Sequence, residues 1–336
     1  MMYITSTPGR IELVKKYLSD YPLTPTMTIA KKLFKEHPLN FTTLESARSA
    51  LRYRRGQSGK QNYKKLADTK HLKGPGSNNP FDDIPEGLTT LEDWRPLPII
   101  GEKVLRLCDI HIPYHNKPAL ITALKYGKQE SVDTIIMDDV FDFHAISNWE
   151  KDPEKRDFQG ELDTAYRIFG IIRNEFPDAK MILKKGNHEF RYDRYMRIKA
   201  PEFLSVKDFQ FKKIIHADEF GIEVVDDKKM MRLGDLYIVH GHEFGRSISS
   251  PVNAARGLWL RAKYNCICGH FHQPSYHSEP IINGSVLGCW SLGCLCDLHP
   301  DWLPVNKWAH GVAVLYRTGT KSFRVNNKTI IDGELY

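Results

Sequence analysis

Between Asp109 and His272 the chain carries five short apolar runs, each followed within a few residues by a side chain of metal-ligand type. Lys103–Cys108 leads into Asp109-Ile110-His111, and Thr134–Met137 into Asp138-Asp139-Val140-Phe141-Asp142. Met181–Leu183 leads into Gly186-Asn187-His188-Glu189, Leu236–Val239 into His240-Gly241-His242, and Tyr264–Cys268 into Gly269-His270-Phe271-His272. Apolar runs this short, bounded by turn residues, are strands. Helical stretches at Pro118–Lys128 and Glu161–Glu175 lie between them. The alternation predicts an α/β class, as a mixed sandwich flanked by helices. Strand ends open onto one edge of a sheet, so five such loops can meet at one site.

Any one of these motifs is common by chance. Five in a row at strand ends are not. Carboxylate and amide oxygens mixed with imidazoles suit manganese, iron, zinc or nickel rather than an all-thiolate zinc site. The six cysteines have no paired C-x-x-C spacing, so neither a zinc finger nor a disulfide scaffold or disulfide-linked partner is expected.

In their order, the motifs resemble those of the calcineurin-like metallophosphoesterase superfamily: D-x-H, G-D-x-x-D, G-N-H-D/E, H and G-H-x-H, here over about residues 103–275. The resemblance implies a metallophosphoesterase-type β-sandwich and two divalent ions, with manganese the first expectation. It assigns Asp109, His111 and His272 to one ion, Asn187, His240 and His270 to the other, and Asp139 to a bridging position. It leaves His188 as a catalytic acid, with Glu189 or a phosphate keeping it oriented or protonated. Two ions about 3.5–4 Å apart can share a hydroxide that attacks phosphorus in line, so no protein nucleophile is needed. Asp142 is expected to orient a ligand. One position departs from the pattern: Asp138 stands where the family has glycine, so the loop can run differently or Asp138 can reach the site.

A second module precedes this region. Residues 1–80 hold 15 Lys/Arg against 5 Asp/Glu, whereas the remainder holds 33 against 36, so the basic excess of the whole chain sits in its first quarter. Amphipathic stretches at Ile11–Leu18 and Thr26–His37, and a third from Thr42 closed by Gly56, predict a small all-α, helix-turn-helix-like domain over residues 1–65. Thr42 and Glu45 have capping-box spacing. Arg48, Arg52 and Arg55 fall on one helical face, extended by Lys60, Lys64 and Lys65, and suggest a nucleic-acid partner. A proline- and glycine-rich connector is expected over residues 66–98 and the catalytic domain over 99–336. No apolar run is long enough for a membrane span and the N-terminus has no apolar signal region, so a cytoplasmic protein with no membrane partner is expected.

The resemblance gives a reaction class and no substrate. The basic module favours a phosphodiesterase or nuclease, similar to the repair exonucleases of that superfamily and to metallophosphatases of phage and prophage genomes. The alternatives are a phosphomonoesterase or nucleotide phosphatase that uses the module for docking, and a DNA-binding regulator on a non-catalytic scaffold.

Overall fold

The computed structural model describes residues 9–58, 94–150, 157–245 and 252–336, with Phe81, Ile84, Pro85, Gly87, Leu88 and Glu154. Lys60, Lys64, Lys65 and most of the expected connector lie outside the described residues. The chain divides into two compact units, Met1–Thr90 and Leu91–Tyr336.

The first unit is built on α1 (Arg10–Asp20), α2 (Thr26–Glu36) and α3 (Leu44–Arg54). Leu13, Val14 and Tyr17 of α1 pack with Ile29, Ala30 and Leu33 of α2 and Ala47 and Leu51 of α3, around Phe41. Each is nearly or wholly buried, and burying a large aliphatic side chain contributes about 1.5–3 kcal/mol. The cap of α3 is Thr43, whose side chain accepts from Ser46 N at 3.1 Å. The cap therefore lies one residue beyond the Thr42 expected from the sequence, and Glu45 pairs with Arg48. Gly56 ends the helix in the left-handed region at φ +67°, where glycine carries no Cβ penalty.

The second unit holds two mixed sheets. A seven-stranded sheet runs in the order β13-β12-β11-β2-β3-β4-β5 and a six-stranded sheet in the order β1-β6-β7-β8-β10-β9. The first comprises β2 (Lys103–Cys108), β3 (Thr134–Asp138), β4 (Lys180–Lys184), β5 (Ile222–Val225), β11 (His310–Arg317), β12 (Phe323–Ile331) and β13 (Glu334–Leu335). The second comprises β1 (Leu97–Pro98), β6 (Met231–Leu233), β7 (Leu236–Ile238), β8 (Cys266–Cys268), β9 (Ser275–Pro280) and β10 (Val286–Ser291). Leu97 and Pro98, expected in the connector, pair in parallel with β6 and so belong to this unit.

Alternation along the strands explains the layering. Val104, Ile136, Ile182, Ala313 and Leu315 face inward from the larger sheet and meet Leu236, Ile238 and Ile267 of the smaller. The next residues along, Leu105, Ile135, Met137 and Met181, turn the other way. They pack under α4 (Lys117–Glu130) and α5 (Phe158–Glu175) through Leu120, Ala123, Ala165 and Phe169. Between β4 and β5 come α6 (Glu189–Lys199) and α7 (Phe211–Ile214). The smaller sheet is covered by α8 (Ala254–Ala262), whose Ala255, Leu258 and Trp259 meet Cys266, Cys268 and Cys289. Two sheets face to face with helices outside both is the α/β sandwich expected from the sequence. All six cysteines are buried free thiols. Among the described residues no helix is long and apolar enough to cross a membrane.

Candidate metal centre

Strands β2, β3 and β4 run parallel in one sheet, and β7 and β8 run parallel in the other. Their carboxyl ends deliver the five motifs to one place. Past the end of β2, Asp109 N donates to Asp138 O at 2.9 Å and Ile110 N to Asp139 O at 3.0 Å, so the two ligand loops stay zipped beyond the strands. In the other sheet Gly269 N donates to His240 O at 2.9 Å.

The site carboxylates and imidazoles face one another. Oδ2 of Asp139 is 3.6 Å from His111 Nε2 and 3.6 Å from His240 Nε2. Oδ1 of Asp109 is 3.2 Å from His272 Nε2, 3.8 Å from His111 Nε2 and 4.0 Å from His240 Nε2. Asn187 Oδ1 lies 3.0 Å from His240 Nε2. The His270 ring stands 5.1 Å from the His240 ring, and its main-chain N donates to Asp109 Oδ2 at 2.9 Å. The seven residues singled out as ligands therefore line one site.

These residues fit a metal. His111 Nε2 is buried without a hydrogen-bond partner, between the carboxylates of Asp109 and Asp139. Ligand atoms about 2.0–2.2 Å from a shared ion stand up to about 4.4 Å from one another, and the 3.6 Å separations fall inside that reach. Among the described residues, three groups bring ligand atoms together closely enough for an ion: Asp109, Asp139 and His240; His111, Asp139 and His188; and His111, His272 and Cys296. Asp139 belongs to two of them, which suits a shared ligand. His188 and Cys296 also come within reach, though the sequence had placed neither among the ligands.

Protons do part of a cation's work in this charge balance. Burial opposes charge on Asp139, but the imidazoles of His188, His240 and His111 hold its carboxyl well below the usual range. Burial likewise opposes charge on His240, yet Asp139 and Asp138 raise it to about 9. His272 is also raised to about 9, against burial, by Asp109. A cluster that draws protons onto two buried imidazoles has a net appetite for positive charge.

The backbone at these residues is unusual. Asp109, His111, Asp139, His270 and His272 all occupy the left-handed region, at φ of 54°, 49°, 53°, 66° and 57°. Such conformations cost non-glycine residues about 1–2 kcal/mol each and gather where function holds them. The glycines of the motifs answer to close approach. A Cβ on Gly186 would stand 2.1 Å from Asp139 Oδ1, and one on Gly269 would stand 2.7 Å from Asp109 Oδ2.

Two residues around the ligands, Glu189 and His188, depart from sequence expectation, and a third, Asp138, takes one of the two courses left open for it. Glu189 does not touch His188. It is wholly buried and accepts from Val140 N, Phe141 N and Gly186 N, at 2.7, 3.0 and 2.7 Å, tying the β3 and β4 loops together. His188 is instead oriented by Asp142, whose Oδ1 is 3.1 Å from Nδ1, and by Arg191, whose Nη2 is 2.9 Å from Nε2. Finally, Asp138 reaches under the site: its Oδ2 is 2.9 Å from His240 Nδ1 and 2.9 Å from Arg106 Nη2. Arg106, Trp308, whose ring lies 4.1 Å from that of His272, and Cys296, whose Sγ is 3.8 Å from His272 Nδ1, were not singled out as site residues. The sequence signal available for Arg106 was a charge inside an apolar strand.

His242, 5.3 Å ring to ring from His240, is partly buried, with Nε2 4.0 Å from Asp227 Oδ2 and Nδ1 3.7 Å from Glu243 Oε2. Arg194 faces the Asn148 amide.

No family model matches the sequence, and no curated protein matches it. Among solved structures the chain is similar to vacuolar protein sorting 29 from Cryptosporidium parvum, at 12% identity and TM-score 0.39, over 70% of this chain and 95% of that one. It is similar to Yfce, a phosphoesterase from E. coli, at 11% identity and TM-score 0.34, over 69% and 96% of the two chains. A Vps29 from Chaetomium thermophilum matches at 10% identity and TM-score 0.32, over 69% and 97%.

Proposed function

We propose that the chain is a divalent-metal-dependent phosphoester hydrolase of the calcineurin-like type, acting on phosphodiesters of nucleic acid. The observation that carries the reading is the placement of Asp139 Oδ2, 3.6 Å from imidazole nitrogens of both His111 and His240. One carboxylate oxygen between two sets of nitrogen ligands is the arrangement a pair of ions would share. Asp109, His111 and His272 would hold one ion, and Asn187, His240 and His270 the other. Bound there, the ions would supply Lewis-acid stabilisation of phosphoryl charge and an activated water.

The protein's own contribution is orientation and a proton. His188 is held at both ring nitrogens, by Asp142 and by Arg191. Burial pushes it down to about 4, with Asp139 pulling the other way and His111 adding to the drop. A phosphate group beside it would raise it again and draw the Arg191 N–H off Nε2, so that Nε2 would take up a proton with substrate and pass it to the leaving oxygen. Arg191, whose other Nη donates to Asp142 O, would keep the ring in line for that transfer.

The basic excess of the first eighty residues supports a polyanionic substrate. The test is hydrolysis, with manganese or zinc added and with EDTA, of bis-p-nitrophenyl phosphate against p-nitrophenyl phosphate, followed by single-stranded DNA, duplex DNA, RNA and nucleotides. Metal-dependent turnover of the diester and of a polymer is expected. Preference for the monoester would replace this reading with a phosphatase, and no turnover of any substrate would favour a non-catalytic nucleic-acid-binding protein.

A further inference from the structure

Beneath the ligand set lies a buried ion pair that the hydrolytic reading does not use. Arg106 on β2 and Asp138, the last residue of β3, are both wholly buried. Arg106 reaches Asp138 Oδ2 through Nη2 at 2.9 Å and Oδ1 through Nε at 3.3 Å. Cys108 Sγ donates to the same Oδ1 at 2.9 Å. The remaining capacity of Oδ2 is directed at His240 Nδ1, 2.9 Å away.

We propose that the Arg106–Asp138 pair is a positioning device for His240, fixing a proton on Nδ1 and directing the Nε2 lone pair at the ion served by Asn187, His240 and His270. This rests on the metal-centre reading above. An ionised carboxylate only accepts hydrogen bonds, so the nitrogen facing it carries the proton and the other nitrogen is left to ligate. Nε2 then looks onto Asn187 Oδ1 at 3.0 Å and Asp139 Oδ2 at 3.6 Å. Arg106 neutralises the added carboxylate, so His240 gains an orienting partner without further negative charge at a site already rich in it. Arg106 Nη2 also donates to Val239 O, the carbonyl just before His240. A second ion pair, of buried Lys184 and partly buried Glu243, holds the same residue by its main chain. Glu243 accepts from His240 N at 2.9 Å and pairs with Lys184 Nζ at 2.8 Å. His240 is thus gripped from both sheets, by Arg106, Asp138 and Lys184 of one and by the chain following β7 of the other.

The consequence is selective. Asp138 makes no described contact with His111 or His272, so its loss should weaken one ion position and spare the other. Removing Asp138 alone would strand the buried Arg106 charge, a defect that can unfold a protein by itself. The test therefore pairs Arg106→Gln with Asp138→Asn in the full chain and titrates manganese and zinc by calorimetry and elemental analysis. Outer partners of ligating histidines typically control affinity by about 10–100-fold. One binding step should fall by that factor while the other stays within about twofold. Equal affinity for both ions in the double variant would overturn the proposal, as would equal loss of both.

A second measurement needs no metal. In the metal-free wild type, the His240 Nδ1 proton should give a downfield, slowly exchanging imidazole resonance, assigned by its disappearance in His240→Gln. Its absence from the wild-type spectrum would sink the Asp138 contact. If the wild type binds no divalent ion, the metal reading fails, and this resonance alone upholds or overturns the contact.

Discussion

The main-chain N–H of His188 donates to Oδ1 of Asp139 at 2.9 Å, which commits one carboxylate oxygen to the protein and leaves the other facing the site. That free oxygen is the one placed 3.6 Å from both His111 and His240. Replacing it with an amide removes the shared ligand charge while keeping the His188 contact within reach. In Asp139→Asn, elemental analysis should find metal content reduced at both positions. The rise in Tm that metal gives the wild type, through binding to the folded state alone, should disappear. An unchanged metal response would show that Asp139 is not shared.

Gly186 offers a sharper geometric test. Its missing Cβ is what allows the β4 loop to pass Asp139, since a methyl group there would stand 2.1 Å from Oδ1. Gly186→Ala must push either the loop or the carboxylate aside. We expect metal binding to drop as in Asp139→Asn, with a stability loss of roughly 1–3 kcal/mol from overpacking. Gly9, where a Cβ meets nothing within 4 Å, is the matched control, and Gly9→Ala should leave metal affinity unaltered.

His188→Ala should retain metal and lose rate. The expected fall is about 10²–10⁴ on substrates whose leaving group needs a proton, and much less on nitrophenyl esters, whose leaving group scarcely needs one. Arg191→Ala should fall between the wild type and His188→Ala, because it removes the partner at Nε2 and leaves Asp142 at Nδ1. If His188→Ala instead empties the site, His188 is a ligand, as its proximity to His111 and Asp139 allows.

These expectations show where the sequence was legible. The strands announced themselves as apolar runs and the ligands as residues just past their ends, because a parallel sheet delivers its loops to one edge. Asp109, Asp139, His240 and His272 were singled out by spacing and by a motif resemblance, and the fold brings their side chains together. What spacing could not reveal is which atoms a side chain spends on the protein. Glu189 read as a partner of its neighbour His188, but its carboxylate turns inward to three main-chain amides that only the fold brings together. Arg106 lies 133 residues from the carbonyl it holds. Long-range polar contacts of this kind have no local period to betray them.

Glu161 supplies a pH dependence that does not involve the ligands. It is buried in the first turn of α5, accepts from Phe143 N at 2.8 Å, and burial lifts it to about 8. A carboxyl raised in the folded state binds its proton more tightly there than in the unfolded chain, where it titrates near 4.5. Its contribution to stability is therefore full below about pH 4.5 and is lost progressively as pH rises through 8. Glu161→Gln keeps an oxygen for Phe143 N and cannot ionise. Denaturation in EDTA at pH 5 and pH 8.5 should show the variant gaining on the wild type at the higher pH, by roughly 1–3 kcal/mol. A pH-independent difference would mean that Glu161 titrates normally.

Arg48, Arg52 and Arg55, expected on one helical face, should separate into two classes. Arg55 is the residue that caps the helix, and its guanidinium is turned onto the α1–α2 connection. Nη1 donates to Thr26 Oγ1 at 2.9 Å and Nη2 to Thr24 O at 2.6 Å. It is a brace within the first unit rather than a member of an open cationic face. Among the described residues Arg48 pairs with Glu45 at 3.1 Å, both partly exposed, an arrangement worth little to stability and easily exchanged for a phosphate. Arg55→Ala should therefore lower the stability of the first unit by about 1–2 kcal/mol. Arg48→Ala and Arg52→Ala should leave stability alone and weaken oligonucleotide binding, each reducing the slope of log affinity against log salt by about one. Binding of single-stranded and duplex oligonucleotides to the full chain, measured by anisotropy across a salt series, decides between them. If the salt slope is unchanged in Arg48→Ala/Arg52→Ala, α3 is not the surface that meets nucleic acid, and the basic excess of the first eighty residues serves another partner.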